Sequence, residues 1–225
     1  KQAEMIAPNN LQEFLKWMDG ADRINIFIRQ REKCKRLIKE AGLIIMIDFN
    51  QPDRLGEAEK LVIESSAPKV IIDHHLDPRD FADLLISDPK KCSTSELVHE
   101  LITGINGSPF MSKPYAEALY VGIITDTGNF DHGSYSGSTF RIVADLLESG
   151  IDKERIHNLV YNNFSADRMR LMGFTLNQRM IVLPEFESAY IYLTRKDLAD
   201  YNYVKGDTEG FVNLPLSIKG VVFSA

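Results

Sequence analysis

Cysteine is nearly absent: Cys34 and Cys92 are the only two in 225 residues. They are too far apart for a paired metal spacing and too few for a disulfide framework. A thiolate-built structural zinc site is therefore excluded, and a reducing cytoplasm fits best. Long apolar runs are also missing. Stretches such as Leu43 to Ile47 are far too short to cross a bilayer, and no signal peptide opens the chain, so no membrane partner is expected. Basic residues are outnumbered, with 26 Lys+Arg against 32 Asp+Glu and a formal net charge of -6. This balance disfavours the extended basic surface needed to track long duplex nucleic acid, and leaves short or mononucleotide ligands open.

Hydrophobic residues make up 44% of the chain, enough for one large core or two modest ones. The most informative stretch is Val70-Ile71-Ile72-Asp73-His74-His75. Three β-branched residues without interruption read as a strand buried on both faces of a parallel sheet. Within a strand the two histidines would point to opposite faces, so their joint service to one site requires the strand to end by about Asp73. Open parallel sheets bind ligands at this carboxyl edge. Solvated polar residues at a strand end are the alternative, but three in a row after a buried strand favour ligands.

Leu43 to Ile47 followed by Asp48 repeats the pattern of a buried strand and then a carboxylate. Residues 55–65 carry apolar positions at helical spacing, so the unit reads strand, helix, strand, with a right-handed crossover that sets Asp48 beside Asp73 and at the same edge as His74. Upstream, residues 11–18 read as a short amphipathic helix, Ile24 to Ile28 as a strand, and Glu32 to Ala41 as a helix ended by Gly42. Downstream, Leu84 to Ile86 adds a strand and Ser93 with Glu96 forms a capping box for a helix to about Ile105. His99 on that helix reads as a partly buried or surface residue without chemical role. Pro114 begins a helix with an apolar stripe that ends at Asp126-Thr127-Gly128. A carboxylate at a helix C-terminus opposes the macrodipole, which implies a cation nearby.

Three helical stretches follow over 139–149, 153–163 and 166–180, and strands begin at Ile181. Pro215 leaves Phe211 to Ile218 ambiguous. The resulting expectation is an α/β fold: a parallel-sheet domain with flanking helices over 1–164, a linker helix over 165–180, and the start of a smaller α+β domain over 181–225.

Asp48, His74 and Asp126 form a mixed oxygen and imidazole set that suits Mn²⁺, Mg²⁺ or Fe²⁺, with manganese first. At these residues the sequence resembles the DHH phosphoesterase superfamily, through Asp73-His74-His75, the strand-end Asp48, Asp126-Thr127-Gly128 and the Ser93-Thr94-Ser95-Glu96 helix start. The resemblance covers nearly the whole chain. It implies that Asp48 bridges two metal ions, that His74 and Asp126 hold one of them, that His75 faces the substrate as a catalytic group, and that Asp73 orients a histidine.

Within the superfamily the chain is similar to the nanoRNase and 3′-phosphoadenosine-5′-phosphate phosphatase branch. That branch implies hydrolysis of short RNA or of that nucleotide by a metal-activated water. A manganese pyrophosphatase and a metal-free nucleotide-binding relative are the alternatives. The family's His-x-x-Pro-Asp-x-Asp segment and its glycine-rich C-terminal signature do not occur in this sequence. The expectation is that either the first of these precedes Lys1 and completes the ligands for a second ion, or the protein is inactive. His132 matches no motif of the family.

Overall fold

Alternating runs of β-branched and helix-forming residues build the first part of the chain. In the computed structural model, which describes residues 3–107, 112–131, 133 and 135–225, it opens on a parallel pair, β1 (Ile6–Ala7) with β2 (Asn25–Ile26). His132 lies outside the described residues. The stretch expected as an amphipathic helix forms only a 3₁₀ turn, Glu13–Leu15, with no buried residue. Leu11, Phe14, Leu15 and Met18 are only half-buried there.

Helix α1 (Arg31–Glu40) buries Cys34 and Ile38 and leads into β3 (Ile44–Ile47). It stops because Ala41 turns extended, at φ -62° and ψ 134°, and not at a left-handed Gly42. Residues Pro52–Ala58 make a kinked 3₁₀ segment that runs into α2 (Glu59–Ile63). The chain then returns as β4 (Lys69–Asp73), followed by β5 (Leu84–Ser87).

These three strands form a parallel sheet of order β3-β4-β5, with Ile47 opposite Ile72 and Asp73 opposite Ser87. Phe27, Cys34, Ile38, Met46, Leu55, Ala58, Val62 and Ile71 pack as one core beneath it. Central β4 is buried on both faces, as its run of β-branched residues predicts, with Ile71 at 0% and Ile72 at 5% exposure. β3 departs from the expectation of a fully buried strand. Its Ile45 and Ile47 are half exposed, because this strand has a hydrogen-bonded neighbour on one side only among the described residues and one of its faces is open.

Helices α3 (Thr94–Asn106), α4 (Lys113–Asp126) and α5 (Gly137–Glu148) pack on one another, and α3 lies against β4. The close approach of α3 and α4 depends on Gly122: a Cβ there would sit 2.0 Å from Ser95 Oγ and 3.0 Å from Ser95 Cβ. This contact brings the N-terminus of α3 and the C-terminal part of α4 together, next to the carboxyl edge of the sheet. Helix α6 (Lys153–Tyr161) closes the first of two compact units, which divide at Val160 and Tyr161.

The second unit is α+β. It begins with α7 (Ala166–Phe174), which widens into a single π turn over Thr175–Arg179. β6 (Met180–Leu183) pairs antiparallel with β7 (Ser188–Ile191); then come α8 (Arg195–Asp200) and β8 (Phe223–Ser224), parallel to β7. Leu171, Ala189, Phe211 and Val221 are its buried apolar residues. The ambiguous Phe211 stretch is 3₁₀ over Phe211–Ser217, with Pro215 inside it. No helix among the described residues is long and apolar enough to cross a membrane.

Candidate metal centre

Asp48 extends β3 by one residue, its N–H donating to Ile72 O at 2.9 Å, and then turns the chain in the left-handed region at φ 68°. A non-glycine residue held there is strained, and such strain collects at functional sites. Its Oδ1 accepts a 2.7 Å hydrogen bond from Thr94 Oγ1 at the start of α3.

β4 ends at Asp73, so the two histidines that follow are free of strand alternation and both serve the same edge. Their ring centroids are 4.7 Å apart. His74 Nδ1 donates to the backbone carbonyl of Lys91 at 3.2 Å. A carbonyl oxygen can only accept, so Nδ1 carries a proton, and in the neutral ring the lone pair is on Nε2. That Nε2 lies 3.8 Å from Asp48 Oδ1 and 3.6 Å from Asp126 Oδ2.

Asp73 is fully buried and both of its oxygens are used. Oδ2 accepts from the His75 backbone N–H at 3.0 Å, and Oδ1 from His75 Nδ1 at 2.8 Å. The histidine that Asp73 contacts is thus His75, engaged through its backbone N–H and its Nδ1. His75 Nδ1 is also 3.8 Å from Asp48 Oδ1, and Asp48, His74 and His75 each offer a ligand atom within 4.8 Å of the others. The structure therefore gathers Asp48, His74, Asp126 and His75 at one edge, with Asp73 beneath.

Asp126 is the last residue of α4. The turn after it is tied by Thr127, whose Oγ1 donates to Ile123 O and accepts from Phe130 N, and Gly128 follows at φ 54°. Desolvation by the surrounding protein, and then the charge of Asp48, push the Asp126 carboxyl up to about 6, while the two imidazoles pull it the other way. Two carboxylates aimed at an imidazole lone pair repel one another and repel that lone pair. A divalent cation at their meeting point removes both repulsions, and an oxygen and imidazole donor set is one that Mn²⁺, Mg²⁺ or Fe²⁺ accepts. The residues fit such an ion.

Two participants are not among the expected site residues, although Thr94 lies within the Ser93-Thr94-Ser95-Glu96 helix start. Thr94 is a helix-start threonine like many others, and the Lys91 carbonyl is a backbone group with no residue type to mark it. His99, expected as partly buried or at the surface, is buried inside α3, and burial pushes its imidazole pKa down.

Fold and site together define a class: an α/β protein that gathers acidic and imidazole side chains at the carboxyl edge of a parallel sheet, with a buried carboxylate behind one of the histidines. The model of the DHH family, N-terminal domain, matches residues 5–123, and the chain belongs to this family of phosphoesterases. Among solved structures, that of an exopolyphosphatase-related protein from Bacteroides fragilis is similar at 44% identity and a TM-score of 0.92, over 97% of this chain and 64% of that one. A probable bifunctional oligoribonuclease and PAP phosphatase, NrnA, of Streptococcus mutans is 25% identical across 97% of this chain and 68% of its own length. An uncharacterized protein of Mycoplasma pneumoniae is 35% identical over 124 residues, 55% of this chain. The chain spans 36% of that relative's length.

Proposed function

We propose that the chain carries the metal-binding body of a phosphoesterase that hydrolyses short oligoribonucleotides and 3′-phosphoadenosine-5′-phosphate. The observation that carries this reading is the His74 Nε2 lone pair facing Asp48 and Asp126 oxygens at 3.8 and 3.6 Å. Asp48, His74 and Asp126 would hold a divalent ion, manganese by preference, and Asp48 would be the ligand shared with a second. When bound, such ions polarise the phosphoryl oxygens and lower the pKa of water.

The protein's own part falls to His75. Asp73 accepts its Nδ1–H, which fixes the ring and leaves Nε2 as the atom that meets a substrate. An imidazolium at His75 can give its Nε2 proton to the departing ester oxygen, and the buried Asp73 carboxylate steadies the positive charge until that moment. Asp73 is a positioning residue in this scheme, and His75 the catalytic acid. Nucleotide contacts are assigned to the second unit, with residues 1–164 as the catalytic body and 165–180 as the connection. The action is cytoplasmic, in keeping with two free, buried cysteines.

The relatives named for oligoribonuclease and PAP phosphatase activity support a nucleotide substrate. A second reading, cleavage of a phosphoanhydride such as pyrophosphate, is favoured by the exopolyphosphatase-related name of the solved structure. The experiment is hydrolysis of labelled RNA of graded length by the full-length protein with Mn²⁺ at fixed salt, with 3′-phosphoadenosine-5′-phosphate and pyrophosphate alongside. Turnover should be fastest on the shortest RNA and on the adenosine bisphosphate, since a chain of net charge -6 repels an extended polyanion. Faster turnover of pyrophosphate would select the second reading, and faster turnover of long strands would reject both.

A further inference from the structure

Glu96 is the other acidic side chain of the first unit whose burial calls for an explanation. It is 1% exposed, in the first turn of α3, and a carboxylate so placed is costly unless its oxygens are occupied. Oε2 accepts from the Cys92 N–H at 3.2 Å and from Thr139 Oγ1 of α5 at 3.2 Å, and Lys91 Nζ stands 3.5 Å from Oε1. An ordinary capping box would return the glutamate to the N-cap, Ser93. Here the Ser93 hydroxyl does accept from Glu96 N at 3.2 Å, but the carboxylate reaches one residue further back, to Cys92.

That displacement has a consequence for the site. The Cys92 N–H and the Lys91 carbonyl belong to one peptide group, which is planar and rigid, with its donor and acceptor pointing opposite ways. Glu96 holds the donor end at 3.2 Å while the acceptor end takes the His74 Nδ1 proton at 3.2 Å. Two residues on, Thr94 of the same turn holds Asp48 Oδ1 at 2.7 Å.

We infer that Glu96 is a positioning residue for the metal centre, acting through the Lys91–Cys92 peptide to keep His74 in the tautomer that presents Nε2. The inference rests on the proposed role of His74 as a ligand. Without Glu96 the peptide loses the partner that orients it, His74 Nδ1 loses a fixed acceptor, and the ring is free to move its proton to Nε2.

The test is made on metal-free protein first. Long-range ¹⁵N NMR reports which nitrogen of His74 carries the proton, and Mn²⁺ titration then gives the affinity. Wild type should show Nδ1–H. Glu96→Ala should show a mixture of tautomers and bind Mn²⁺ about 10- to 100-fold more weakly, the usual cost of losing a group that orients a ligand. Glu96→Gln keeps an acceptor for the Cys92 N–H and should restore most of both. Leu146→Ala, in the core of α5, should lower the melting temperature and leave tautomer and affinity alone.

A wild-type tautomer and affinity in Glu96→Ala would overturn the inference, as would an equal loss of affinity in Leu146→Ala. If Glu96→Ala does not fold, Thr139→Val removes a donor to the same carboxylate and should shift both readouts in the same direction by less. Wild-type values there would also overturn it. A wild type that binds no Mn²⁺ would defeat the metal reading, while the tautomer comparison would still decide the role of Glu96.

Discussion

Asp197 in the second unit and Asp126 in the first are carboxylates in opposite surroundings. Asp197 takes a two-pronged contact from Arg179, at 2.9 Å from Nε and 2.8 Å from Nη2, and its Oδ2 also accepts from the Thr194 N–H at 2.9 Å. The guanidinium holds its carboxyl well below the usual range. Among the described residues, Asp126 has no Lys or Arg in an ion pair with it. Desolvation and Asp48 raise its carboxyl to about 6, and His74 Nε2, 3.6 Å away, presents a lone pair when the ring is neutral. A saturated carboxylate caps a helix and fixes a strand, and leaves no valence for a ligand. Carboxylates that converge unsaturated on a lone pair are stable only if something else arrives.

The largest effects should come from the two adjacent histidines. His74→Ala should lose Mn²⁺ binding and recover part of its activity in excess Mn²⁺. His75→Ala should keep the metal and lower kcat by about 10²- to 10⁴-fold, the range for a general acid. Metal titration with steady-state kinetics separates them, and the opposite pattern in metal content would exchange their roles. Next in size is Gly122→Ala, which drives a methyl group to 2.0 Å from Ser95 Oγ where α3 meets α4. Overpacking of this kind costs about 1–3 kcal/mol. Denaturant melts should show it, with a loss of Mn²⁺ affinity as Thr94 and Asp126 shift apart; an unchanged stability would mean that the helices part without cost.

Much of the first unit is legible in the sequence because its signals are local and mutually consistent. Uninterrupted β-branched runs mark β4, Pro and apolar spacing mark α4, and carboxylates mark the carboxyl ends of β3 and β4, Asp48 just after the one and Asp73 as the last residue of the other. The family motifs then join Asp48, His74 and Asp126. What is not legible depends on tertiary partners. Residues 11–18 have helical spacing but form only a 3₁₀ turn whose apolar residues are half-buried, and β3 has one open face although its sequence is as apolar as β4. Which histidine Asp73 contacts could not be read from adjacency, since both follow it. The Lys91 carbonyl has no side-chain identity at all. His99 is buried because α3 is sheltered by its neighbours, which a lone helical histidine does not announce.

The smallest effects are in pH, and they should have opposite signs in the two regions. In metal-free protein Asp126 binds its proton up to about 6, against an ordinary value of 3.8, so the folded state holds more protons than the unfolded state between them. The stability it contributes is present below this window and is lost as pH rises through it. Melting temperature should therefore fall across the window, and Asp126→Asn or added Mn²⁺ should remove the fall. Asp197 has a depressed carboxyl, so its contribution is present above the ordinary aspartate range and is lost as pH falls through the folded value. Asp197→Asn should remove that acid-side loss and leave Mn²⁺ affinity unchanged. A common sign for both residues would erase the distinction between them.

The central claim is that Asp48, His74 and Asp126 converge on a divalent ion, and anomalous diffraction at the manganese edge from crystals of the protein grown with Mn²⁺ tests it most directly. The account predicts a peak about 2.0–2.3 Å from a carboxylate oxygen of Asp48, from His74 Nε2 and from a carboxylate oxygen of Asp126. His75 Nδ1 should stay on Asp73. No peak at that edge of the sheet, or a peak held by His75 in place of His74, would contradict it.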